Sequence, residues 1–138
     1  MLVALLAAAV FVWRSIGAGG ASGCTLTVDG SSFHLDHEQV ANAQTIAAEA
    51  TALGLPHHAV TVALAAALQE SQLHNVRSGD RDSVGLFQQR PSQGWGSAAQ
   101  RVQHSATPTA YGRWEAEARA LARVETGEIT GALTCSPA

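Results

Sequence analysis

The stretch "PHHAVTVALAAALQESQL", Pro56–Leu73, decides the fold. Pro56 suits the first turn of a helix, where its missing N–H is not needed. The run from Ala59 to Leu68 is apolar on every side, which predicts a central, buried helix reaching to about Leu73. Glu70 sits near its end. A carboxylate there is costly unless it is solvated, paired or protonated, and burial of such a group raises its pKa. That property is the one a general acid needs near neutral pH. The competing reading is an exposed Glu on a polar last turn, since Gln69, Ser71 and Gln72 surround it.

Beyond this helix, "HNVRSGDRDS" reads as a polar loop, and "VGLFQQRPSQGWG" as holding a short helical turn stopped by Pro91. Before it, "CTLTVDGSSFHLD" alternates at Leu26 and Val28 and turns at Asp29-Gly30, a short strand or hairpin. Asp36 and Gln39 form a capping-box pair. Val40, Ala43, Ala47 and Ala50 follow at helical spacing, with Ile46 and Leu53 beside them, until Gly54 stops the helix. Ser97 with Gln100 opens another helix to about Ala106, and Thr107-Pro108 restarts the chain. Tyr111, Trp114, Ala118 and Leu121 make a further stripe that Gly127 ends. The closing "EITGALTC" is placed to pair with the N-terminal hairpin. The expectation is a mainly α, α+β domain over residues 24–138, with a small β-element near the joined termini.

The chain has 138 residues, 46% hydrophobic and 14% charged, so one packed domain is expected. Net charge is −3, and all eight basic residues are Arg, scattered without a basic run. This disfavours nucleic acid as a partner. Residues 1–23 are read apart from the fold. Leu2 to Trp13 is a twelve-residue apolar run followed by Arg14 and a Gly/Ala/Ser segment. Spanning takes roughly 17–25 apolar residues. The segment reads as a signal peptide or an N-terminal membrane anchor, with a buried N-terminal helix as the alternative. Either of the first two places the domain outside the cytosol, secreted or tethered facing outward. Two cysteines, Cys24 and Cys135, then favour a disulfide. The alternative is a lipoprotein-like box at "ASGC" with Cys24 lipidated. Six histidines invite a metal hypothesis. His34 and His37 straddle a strand end and a helix cap, His57 and His58 are adjacent, and no His-Glu-x-x-His occurs, so no metal or cofactor is expected.

Glu70-Ser71 at a helix end, followed by a loop and "SVGLFQQRP", resembles the lysozyme-like superfamily of soluble lytic transglycosylases and goose-type lysozymes. "GDRDSVGLFQ" is similar to the goose-type segment that ends in Gly-Leu-Met-Gln. The motif-bearing match covers about Ala63 to Trp95, and a weaker likeness to exported actinobacterial proteins of the superfamily runs from Cys24 to Cys135. The resemblance implies a cell-wall glycan, peptidoglycan or a related β-1,4 polymer, as substrate. Glu70 would protonate the glycosidic oxygen. Ser71 would hold the acid or a sugar group, or be a helix-surface hydroxyl. Gly85 would let backbone approach a sugar, and Gln88, with Gln89 beside it, would hydrogen-bond one. Leu86 and Phe87 suit core better than ligand contact.

Two reactions follow from that protonation. Attack by water is hydrolysis and calls for a second carboxylate; Asp80 matches the goose-type acid, with Asp82 its neighbour. Attack by the sugar's own C6 hydroxyl needs one Glu as acid and then base, and leaves a 1,6-anhydro end. Asp80 and Asp82 also suit plain turn residues. The chain departs from the family twice. Arg90 stands where goose-type enzymes carry another acid, and "RPSQGWGS" runs directly into "AAQRVQHSATPTAYGRWE", without the helix that usually supplies aromatic residues to the cleft. Tyr111 and Trp114 fit a core stripe better than a site, and Trp95 suits either. Two other classes remain: a non-catalytic glycan-binding or structural module, and an exported metal-binding or transport-related protein.

Overall fold

The computed structural model describes residues 22–90, 92 and 111–137. The elements run β1 (Cys24–Val28), β2 (Ser31–Leu35), α1 (His37–Ala52), α2 (His57–Ser71), a 3-10 turn (Gly112–Trp114), α3 (Glu115–Glu125) and β3 (Leu133–Cys135). The class is α+β. The leader, the expected helix from Ser97, Trp95 and the Thr107-Pro108 restart lie outside the described residues. No described helix is long and apolar enough to cross a membrane.

The sheet has the order β2-β1-β3, antiparallel throughout. Asp29 and Gly30 both have positive φ, as a two-residue type I′ hairpin requires, and Val28 faces Ser31 across the turn. Cys24, Leu26 and Val28 point inward while Thr25 and Thr27 do not, the alternation expected of a sheet with one buried face. The C-terminal strand returns to β1, with Cys24 opposite Cys135 and joined to it by a disulfide. Such a bond is stable in an oxidising compartment.

Asp36 and Gln39 form both hydrogen bonds of the capping box, each at 2.8 Å, and fix the start of α1. Its buried face is Val40, Ala43, Ile46, Ala47 and Ala50. Leu53, expected on that face, is 65% exposed. The helix ends at Ala52, and the turn through Gly54, at φ +67°, carries Leu53 past the core.

α2 packs against α1, α3 and the 3-10 turn. It buries Val60, Leu64, Ala65, Ala67 and Leu68, but Val62 is 55% exposed. The helix is therefore central without being covered all round: its neighbours leave one face to solvent. It also ends at Ser71, two residues before the expected Leu73. Gln72 and Leu73 are both left-handed, at φ 53° and 61°. The Leu73 amide donates back to the Ala67 carbonyl at 3.2 Å, and its side chain is fully buried. This left-handed close turns the chain back over the helix end and leaves an apolar side chain in the core. On α3, Ala118 and Leu121 are buried as the stripe requires, joined by Ala120 and Ala122. Arg123 pairs with Asp29 and Glu128, each at 2.9 Å, tying α3 to the β1–β2 turn.

Candidate active site

The last turn of α2 is joined to the Gly85–Gln88 turn by one hydroxyl. Ser71 Oγ lies 2.8 Å from the Leu86 carbonyl and 3.1 Å from the Ala67 carbonyl of its own helix. The residue next to Glu70 thus holds the Gly-Leu-Phe-Gln turn against the helix end. Leu86 and Phe87, half-buried, pack on the core.

The turn is not helical. Val84 and Gln89 exchange both backbone hydrogen bonds, at 2.9 and 3.1 Å, closing a four-residue loop. Gly85 lies at φ +77°, a conformation that favours glycine, and its amide donates to the Val76 carbonyl at 2.7 Å. Gln88 is left-handed at φ 45°. Its carboxamide nitrogen donates to the Gly85 carbonyl at 2.9 Å, while the amide oxygen lies over Gly79, only 1.8 Å from where a Cβ would stand. Any side chain at Gly79 would drive the Gln88 amide out of this seat. Gln89, half-buried, contributes its backbone to the loop closure.

Glu70 is half-buried, and its Oε1 accepts a hydrogen bond from the Tyr111 hydroxyl at 3.3 Å. One turn away, Trp114 Nε1 donates to Gln69 Oε1 at 3.0 Å. The aromatic stripe ahead of α3 therefore touches the acid-bearing end of α2 as well as the core. Spacing alone ranks Tyr111 as a core residue. The overlooked signal is its hydroxyl, which needs a partner wherever the ring is covered.

The two aspartates of the loop are placed differently. Asp82 accepts from Arg90 Nε and from the Ser92 amide, each at 2.8 Å. Hydrogen bonds from Ser92, hydroxyl and amide, and then from Arg90 hold its carboxyl well below the usual carboxylate range. So acidic a group is a poor base. Asp82 is a loop staple, and Arg90 is its partner. Asp80 is exposed; its backbone carbonyl accepts from the Ser83 amide at 3.1 Å, and no hydrogen bond or ion pair among the described residues links it to Glu70.

The loop is anchored to α1 as well. Glu38 Oε1 accepts from the Asn75 amide at 2.9 Å, and Gln39 and Asn42 donate to the Gln72 and Leu73 carbonyls at 2.9 and 2.8 Å. His74 Nε2 meets Asp36 Oδ2 at 2.7 Å. This contact with Asp36 raises the His74 pKa above its ordinary value. The Asp36 carboxyl is lowered, first by the Gln39 amide and then by His74. Four left-handed non-glycine residues, Gln72, Leu73, Arg81 and Gln88, fall in this one segment. Such conformations persist only where surrounding bonds hold them, and they gather at functional sites.

No protein-family model, curated protein or solved structure matches this chain.

Proposed function

We propose that the domain cleaves β-1,4-linked cell-wall glycan, peptidoglycan or a close relative, in the manner of lytic transglycosylases. The observation that carries the proposal is the Ser71–Leu86 hydrogen bond, because it sets Glu70 beside the turn whose residues resemble the sugar-binding segment of that superfamily. Glu70 donates its proton to the glycosidic oxygen as the bond to the leaving sugar breaks. The resulting carboxylate then takes the proton of the C6 hydroxyl as that oxygen attacks the anomeric carbon, and a 1,6-anhydro end results. One carboxylate serves both steps. Tyr111 steadies it through the hydroxyl contact. The single-acid route is preferred to hydrolysis because Asp82 is committed to Arg90 and Ser92, and Asp80 has no bond tying it to Glu70.

The leader read as an export signal or anchor, and the disulfide, both suit a wall-facing location. The test is release of soluble muropeptides from purified cell walls. Wild type releases them, and Glu70→Gln lowers the rate by about 100-fold or more, the usual scale for losing a general acid. Wall binding without release, equal in both proteins, would replace the enzyme by a glycan-binding module.

A further inference from the structure

The sheet brings together three potential metal donors that lie far apart in the sequence. Cys24 begins β1, Cys135 ends β3 and His37 opens α1. His37 Nδ1 is 4.0 Å from Cys24 Sγ, and the donor atoms of all three residues lie within 4.8 Å of one another. The His37 Nε2 atom is buried and has no hydrogen-bond partner among the described residues. Among the described residues the ring's one polar contact is with the Cys24 sulfur. Cys24 is buried, whereas Cys135 faces solvent.

Backbone pairing, and not only the disulfide, holds the two sulfurs side by side. Backbone hydrogen bonds bracket the pair: the Ser136 amide donates to the Gly23 carbonyl, and the Thr27 amide to the Ala132 carbonyl, each at 2.8 Å. The capping box fixes His37 at the first position of its helix. Breaking the disulfide therefore leaves two thiols and an imidazole converging on one point. With zinc bonds of about 2.3 Å to sulfur and about 2.0–2.1 Å to nitrogen, tetrahedral donors stand roughly 3.5–3.8 Å apart. The sulfurs must separate to that distance and the imidazole must close on them, from 4.0 Å at Cys24 and no more than 4.8 Å overall, while the solvent side at Cys135 leaves a fourth position for water.

We infer that, in its dithiol form, the protein binds one zinc ion through Cys24, Cys135 and His37, so that a metal replaces the disulfide as the staple between its termini. The switch requires an external dithiol. Its thiolate attacks the exposed Cys135 sulfur, the S–S bond breaks, and Cys24 leaves as a thiolate that takes up a proton. The second thiol of the reagent then attacks the mixed disulfide, freeing Cys135 and leaving the reagent as a cyclic disulfide. Two electrons and two protons have passed to the protein. Zinc then displaces both thiol protons.

The experiment uses the full chain, reduced with a phosphine in chelator-free buffer and titrated with Co2+, followed by competition with Zn2+. The expected result is one Co2+ per chain with thiolate-to-metal absorption in the near ultraviolet, erased by Zn2+ and absent from the disulfide form. His37→Ala should weaken binding at least tenfold, and His57→Ala should leave it unchanged. Far-ultraviolet circular dichroism is recorded throughout; if reduction unfolds the chain, one equivalent of Zn2+ must restore the helices. Lack of thiolate absorption, equal affinity in His37→Ala, equal binding by the disulfide form, or failure of Zn2+ to restore a lost fold would each overturn the inference.

Discussion

At the scale of single residues, Ser71 ties the end of α2 to the Gly85–Gln88 turn. Its hydroxyl is the direct bond between the acid-bearing helix and the turn, and a serine next to a glutamate could as easily have faced solvent. Ser71→Ala leaves the half-buried Leu86 carbonyl without this donor, which should cost about 1–2 kcal/mol in denaturant unfolding. Glycan cleavage should fall as well, because the turn is no longer held at Glu70; full activity in a destabilised Ser71→Ala would separate the bond from the function. The neighbouring site residues were only partly legible. Gly85 is named by the resemblance to the Gly-Leu-Met-Gln pattern, and its φ of +77° is a conformation that favours glycine. Gln88 comes from the same pattern, but the seat of its amide over Gly79 depends on two loop segments meeting, which no spacing records. Tyr111 has the spacing of a core stripe that Ala118 and Leu121 follow into the interior, while its own hydroxyl reaches Glu70.

Among the elements, the start of α1 was plain in the sequence because a capping box is a local pattern, and both of its bonds form. The end of α2 was less plain, since a left-handed Gln-Leu pair carries no glycine to announce it. Nor could the four bonds by which α1 holds that end be read from local signals. The His74–Asp36 contact makes this junction sensitive to pH. His74, its pKa raised in the fold, lends stability that is fully present below the ordinary histidine value near 6.5 and is lost as pH climbs through the raised value. Asp36, lowered, lends stability above the ordinary aspartate value near 3.8 that is lost as pH falls through the lowered one. Both contributions are in force between about pH 4 and 6.5. The groups are partly exposed, so the loss towards pH 8 should be small, about 0.5 kcal/mol. Unfolding free energies measured across that range should show it, and His74→Gln should flatten the alkaline side.

For the molecule as a whole, the joined termini were expected from "EITGALTC" and the paired cysteines, and β3 does return to β1. The α+β class follows from the same signals of period and punctuation. The place of His37 beside the disulfide carries no local signal, because a helix cap and two strand ends meet only once the sheet is built. The disulfide closes a separation of 111 residues, so its removal should cost roughly 4–5 kcal/mol in the chain-entropy view. Cys24→Ser/Cys135→Ser, compared with wild type in the presence of chelator, should show that loss as a lower denaturant midpoint.

In the proposed reaction Glu70 alone supplies and then recovers the proton that cleaves the glycan. Mass analysis of fragments released from purified peptidoglycan tests it most directly. The expected products are lighter by one water than their hydrolytic counterparts, carry 1,6-anhydro ends, and disappear in Glu70→Gln. Fragments with ordinary reducing ends, or release that persists undiminished in Glu70→Gln, would contradict it.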